Sequence, residues 1–159
     1  MESKTVSQSK AVLSELMLPG HANPAGTVHG GEVMKLMDAC GGVAATRHAR
    51  RPVVTVRVDE LVFYKPIPVG RLVICEAQLA FAGKTSMEVQ ITVKSEDLLS
   101  EDPPDVALTA FFTYVALGED LKPAQVPALL AETAAEKEIF EARKAKYLEL
   151  KQAREGKDT

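Results

Sequence analysis

The chain changes its hydrophobic period twice, and those changes divide it into elements. Between residues 10 and 18 the apolar positions Val12, Leu13, Leu16 and Met17 predict a first strand, closed by Pro19-Gly20. From Glu32 to Ala45 the residues are apolar nearly all round, broken only by Glu32, Lys35 and Asp38. Such a helix is a buried one, so a central helix to about His48 is predicted. Past Arg50-Arg51-Pro52 the period falls to two. Val54, Val56 and Val58 alternate with Thr55, Arg57 and Asp59, the pattern of a half-buried strand, which continues to Tyr64. Further strands are predicted over 71–81, 85–94 and 105–117, the first two joined by the short turn Ala82-Gly83-Lys84 as a hairpin. Residues 121–127 hold two prolines and read as a linker. Residues 128–154 read as a charged amphipathic helix with a thin apolar stripe at Ile139, Phe140, Tyr147 and Leu148.

Strand, buried helix, four long strands and exposed helix make an α+β fold, with one long antiparallel sheet curled round the buried helix. The expected organisation is a flexible N-terminus at 1–9, a domain at 10–120, and a linker with C-terminal helix at 121–159. One sheet wrapped on one helix leaves an edge strand and an outer face bare, so a homo-oligomer is expected, a dimer at least, with tetramers or hexamers as assemblies of dimers.

A length of 159 residues allows one domain with a sizeable core. Hydrophobic content of 46% and charged content of 26% are ordinary for a globular chain. A net charge of −3 provides no basic field, so nucleic acid is not expected as a partner. No apolar run suffices to span a bilayer, and the best, 106–117, is interrupted by Thr109, Thr113 and Tyr114. The polar residues 1–10 lack the apolar core of a secretory signal. Cys40 and Cys75 lie in apolar segments without metal-ligand spacing and read as buried thiols, which suits a cytoplasmic protein. No metal site is expected, and no Gly-x-Ser-x-Gly elbow is present.

Candidate chemistry concentrates where the loop Asn23-Pro24-Ala25-Gly26-Thr27-Val28-His29-Gly30-Gly31 opens the buried helix. Asp38 follows in mid-helix, between Met37 and Ala39. It is either a carboxylate turned to a ligand or part of a solvated stripe with Glu32 and Lys35, and the helix by itself favours the stripe. Gly41-Gly42 should cost the helix roughly 1 kcal/mol each relative to Ala, which suggests that another backbone comes very close there.

Read together, His21 to Gly31, Met37-Asp38-Ala39-Cys40-Gly41-Gly42, Val58 to Phe63, Gly83 to Val89 and Ala110 to Val115 resemble the signature of hotdog-fold acyl-CoA thioesterases. The segment 132–151 is similar to the tail of the cytosolic (brain-type) acyl-CoA hydrolases. The longer members of that family carry two hotdog domains in tandem, and this chain carries one. The resemblance implies hydrolysis of an acyl-CoA to CoA and a fatty acid, with Asp38 as general base or nucleophile and Asn23 positioning water or substrate. The backbone N–H groups near Gly30 and Gly31 would then polarise the thioester carbonyl, as free N–H groups at a helix start can. His29 precedes the glycine pair and is a further candidate at the thioester. His21 and His48 read as structural or exposed. Lys84, Thr85 and Ser86 are implied contacts for CoA, which is part of substrate and product, so no separate cofactor is expected. Two other readings remain: a hotdog dehydratase acting on hydroxyacyl thioesters, which His29 would suit, and a non-catalytic acyl-CoA-binding module.

Overall fold

The computed structural model describes residues 1–157. In chain order the elements are β1 (Lys4–Thr5), β2 (Ala11–Leu16), α1 (Gly30–Ala49), β3 (Val53–Phe63), β4 (Leu72–Ala82), β5 (Ser86–Glu96), β6 (Asp105–Ala116), β7 (Leu129–Leu130) and α2 (Ala134–Lys157). β2, β4, β5, β6 and β3 form one antiparallel sheet in that spatial order. The sheet curls round α1, as the change of period from 3.6 to two predicts. Val33, Met37, Cys40 and Ala44 of α1 are buried against Leu79, Val89, Ile91 and Phe112 in a single core. Both thiols are free and buried. Among the described residues no helix is long and apolar enough to cross a membrane.

Several sequence expectations are corrected. The N-terminus, expected to be flexible over 1–9, is tied down. β1 pairs in parallel with β7, Val6 is 2% exposed, and Lys4 Nζ donates to the His48 carbonyl at 2.7 Å. The expected linker at 121–127 is a packed strap: Val126 N donates to Lys84 O at 2.9 Å, and Val126 is buried. The C-terminal helix starts at Ala134, not at 128. β7 occupies 129–130, and Thr133-Ala-Ala-Glu136 forms a capping box at the true start. There Glu136 N donates to Thr133 Oγ1 at 3.1 Å, while Glu136 Oε2 accepts from the N–H groups of Glu132 and Thr133. Those donors hold the Glu136 carboxyl below its ordinary range.

α2 is not a free helix either. Its Phe140 and Tyr147 rings meet Phe81 of β4 at 5.3 and 5.1 Å. Its Arg143 is 4% exposed and reaches Glu88 at 2.6 Å, Asp59 at 2.9 Å and Glu60 at 3.0 Å, with its guanidinium over the Phe111 ring. Asp59 and Glu60 lie in a bulge of β3 where Glu60 takes φ +53°. β3 itself departs from the simple alternation. A bulge between Thr55 and Arg57, together with its place at the sheet edge, leaves Val54, Val56 and Val58 exposed instead of half-buried.

Candidate active site

α1 opens from an irregular loop built by Asn23. Its Oδ1 accepts from the N–H groups of Ala25 and Thr27 at 3.0 and 3.1 Å, and its Nδ2 donates to Thr27 Oγ1 at 3.0 Å. These bonds are an Asx turn, so Asn23 shapes the loop with the same amide that was expected to position substrate. His29 caps the helix: its Nδ1 accepts from Gly31 N at 3.0 Å, and its ring is exposed. The Gly31 N–H is therefore engaged. Among the described residues nothing accepts from the Gly30 N–H, which leaves Gly30 as the open donor at the helix start. Asn23, Gly30 and Val33 line a cavity of about 330 Å³ with Phe63, Tyr64 and Ile67.

Asp38 lies elsewhere. From Gly30 to Asp38 is about 12 Å along a helix axis, and Asp38 does not line that cavity. It is half-buried, on the side of α1 that faces the start of β3 and the end of β6. Its Oδ1 accepts from Thr55 Oγ1 at 2.6 Å and from the Tyr114 hydroxyl at 3.2 Å. The carboxylate is thus built into a constellation and is not part of a solvated stripe with Glu32 and Lys35. Thr55 and Tyr114 are register partners across β3 and β6. Neither was singled out from the sequence. The polar position at Thr55 in the valine run was the one available signal.

The β4–β5 turn is at the same end of the sheet: Ser86 pairs with Val115 and Met87 with Tyr114. Lys84 is exposed, and among the described residues the side chains of Lys84, Thr85 and Ser86 make no hydrogen bond, so their polar groups are free to meet a ligand. On the neighbouring part of α1, Ala39, Gly42 and Val43 line an open groove of about 800 Å³ with Arg47, Arg50 and Arg51, and Asp38 is not among its lining residues. The expected close approach at Gly41-Gly42 is made by a side chain, not by a backbone. A Cβ on Gly41 would collide with the Tyr114 hydroxyl and meet Ile91 Cδ1 at 2.8 Å, whereas Gly42 has only an ordinary 3.8 Å contact. His48 is fully buried with Nε2 2.7 Å from the Pro127 carbonyl, so it is structural; His21 Nδ1 accepts from Leu18 N at 2.9 Å. The structure therefore gathers Asn23, His29, Gly30 and Gly31 at one end of α1, and leaves Asp38 apart from them with Thr55 and Tyr114, while the Lys84–Ser86 turn lies at the Tyr114 end of the sheet with Ser86 next to Gly83 on the α2 side.

The whole chain is similar to known proteins. A thioesterase superfamily profile matches residues 25–101. The cytosolic acyl coenzyme A thioester hydrolase of Rattus norvegicus is 38% identical over 156 residues, covering 98% of this chain and 41% of the relative. The chain thus spans about two fifths of the length of that relative. An acyl-CoA hydrolase from Staphylococcus aureus, solved with butyryl coenzyme A, coenzyme A and coenzyme A disulfide, superposes with a TM-score of 0.82 at 32% identity, covering 99% of each chain. Structures of variants of that hydrolase with an aspartate, a threonine or an asparagine changed to alanine also match. A hexameric acyl-CoA thioesterase superposes with a TM-score of 0.89 at 32% identity, covering 96% of this chain and 97% of that one.

Proposed function

Starting from the fact that this chain belongs to the acyl-CoA thioester hydrolases of the thioesterase superfamily, with their hotdog fold, we propose that it hydrolyses an acyl-CoA to free CoA and a carboxylic acid, with Asp38 as the group that activates water. The observation that carries this is the carboxylate held at one oxygen by Thr55 and Tyr114 while, among the described residues, no hydrogen bond reaches its other oxygen. The three positions changed to alanine in the S. aureus hydrolase have the same residue types and the same spacing along the chain as Asn23, Asp38 and Thr55, which supports the same assignment.

Asp38 takes a proton from water as the water oxygen attacks the thioester carbonyl. The oxyanion forms against the Gly30 N–H, at the positive end of the α1 dipole. The C–S bond then breaks, and the leaving thiolate recovers the proton from Asp38. Lys84, Thr85 and Ser86 offer free polar groups to the CoA moiety. The reaction needs no cofactor, and we place it in the cytoplasm, the rat relative being named cytosolic.

The two halves of the machinery are far apart within one chain, so the working unit is a dimer. Antiparallel pairing of the β3 edges of two copies brings the Phe63 end of one, against which Gly30 packs, beside the Thr55 end of the other. Asn23 and Gly30 of one subunit then serve Asp38 of its partner. The exposed Val54, Val56, Phe63 and Tyr64 would be covered by that contact.

The dehydratase reading loses its main support, because His29 spends Nδ1 on capping α1. The test is thiol release from palmitoyl-CoA. A hydrolase frees CoA, whereas a dehydratase or a binding module does not. Asp38→Asn should lose ~10²–10⁴-fold in rate, the usual worth of a general base, with the fold intact. A variant retaining more than a tenth of wild-type turnover would remove Asp38 from the chemistry.

A further inference from the structure

The Asp38 carboxylate is held by one oxygen only. Oδ1 accepts from Thr55 Oγ1 at 2.6 Å and from the Tyr114 hydroxyl at 3.2 Å, while among the described residues no hydrogen bond reaches Oδ2. The same hydroxyl donates to the Asp38 main-chain carbonyl at 2.8 Å, so its proton is shared between side chain and backbone of one residue. Tyr114 cannot drift from this position. It is 1% exposed, lies on β6 between Thr55 of β3 and Met87 of β5, and its ring stacks 6.3 Å from that of Phe112. Burial first, and then the charge of Asp38, push the phenol far above its ordinary range. It therefore stays a donor across the working pH range.

Packing alone does not call for the hydroxyl. A phenylalanine ring would fill the same core volume. The hydroxyl, together with Ile91 Cδ1 and the edge of the Tyr114 ring, occupies the space where a Cβ of residue 41 would be, so α1 carries glycine at Gly41 in mid-helix to admit this packing. A buried hydroxyl where an apolar ring would pack as well points to a use for its donor.

We propose that Tyr114 is a positioning residue for the hydrolysis: with Thr55 it pins Oδ1 of Asp38 so that Oδ2 is the oxygen presented to water. The terminal torsion of an aspartate is broad, and two donors on one oxygen fix it at the angle the reaction needs. The inference rests on the reading of Asp38 as the activating carboxylate.

The experiment compares Tyr114→Phe with wild type and with Asp38→Asn in steady-state thiol release, alongside melting temperature and oligomeric state. A hydrogen bond to a charged group is worth enough that kcat should fall about tenfold or more, with KM within about twofold, in a variant that remains folded and assembled. If kcat stays within about twofold of wild type while Asp38→Asn is inactive, the positioning role is overturned and the base assignment survives. If Asp38→Asn itself keeps more than a tenth of the rate, both fail together. A rise in KM with a lowered melting temperature and unchanged kcat would make Tyr114 structural only and overturn the proposal. A second measurement covers a Tyr114→Phe that does not fold. In the NMR spectrum of the wild-type protein the Tyr114 hydroxyl proton should exchange slowly with water, and it should shift in Asp38→Asn. A fast-exchanging or unmoved proton overturns the proposal.

Discussion

Burial removes His48 from water completely and ties its Nε2 to the strap at Pro127, while Nδ1 has no partner among the described residues. Loss of hydration pushes its imidazole below the ordinary value of 6.5, an effect that exceeds the opposing bond to Pro127. The unfolded chain therefore binds more protons than the folded one below about pH 6.5, and stability is full above that pH and falls as the pH drops through it. Urea unfolding between about pH 7.5 and 5 should show this decline, and His48→Gln, which keeps a donor for Pro127, should flatten it. Gly41 offers a second residue-scale test. Gly41→Ala puts a Cβ against the Tyr114 hydroxyl and Ile91. It should cost about 1–3 kcal/mol by overpacking and lower activity as well, whereas a side chain merely lining solvent would show neither effect in denaturation and turnover assays.

At the scale of elements, α2 is the part whose role changes most once the tertiary contacts are known. Arg143 answers Asp59, Glu60 and Glu88 from a buried position, and Asp59 and Glu60 belong to the β3 bulge. Burial nonetheless pushes the Glu88 carboxyl up, with Arg143 opposing it. Removing the cation strands two largely buried carboxylates, so Arg143→Ala should destabilise the protein by about 3–5 kcal/mol, read as a lower denaturation midpoint. The aromatic contacts of Phe140 and Tyr147 with Phe81 would be loosened at the same time. A midpoint unchanged from wild type would mean that α2 is only laid on the sheet, not clamped to β3.

At the scale of the whole molecule, the exposed edge of β3 and the separation of Gly30 from Asp38 are the grounds for the proposed dimer. Light scattering at assay concentration should show a dimer or a larger assembly of dimers, and an active monomer would refute the shared site. Complementation tests the sharing directly. Asn23→Ala and Asp38→Ala are each expected to be inactive. After subunit exchange half the dimers are mixed, and each mixed dimer has one intact site, so activity should return to about a quarter of wild type. Activity at the level of the parents, with exchange verified, would mean that both residues act within one subunit.

What the sequence determined by itself was whatever depends on local pattern. The all-round apolar run of α1 and the period of two through β4 to β6 set the layers. The motif resemblance running from His21 to Val115 singled out Asn23, Asp38 and the glycines. The capping box Thr133-Ala-Ala-Glu136 was also there to read, but the apolar stripe blurred it and the helix was expected six residues too early. Tertiary structure alone decided the rest, because it depends on register and chain crossing. Thr55 and Tyr114 reach Asp38 only because β3 and β6 pair opposite one another over that turn of α1. Arg143 finds its acids across 55 to 84 residues of chain. The 121–130 segment is ordered because His48 and β1 supply bonding partners from the far end of the sequence. A one-dimensional pattern marks which face is apolar, but it holds no information on which distant polar group will stand opposite, and the Asp38 constellation is made of such pairings.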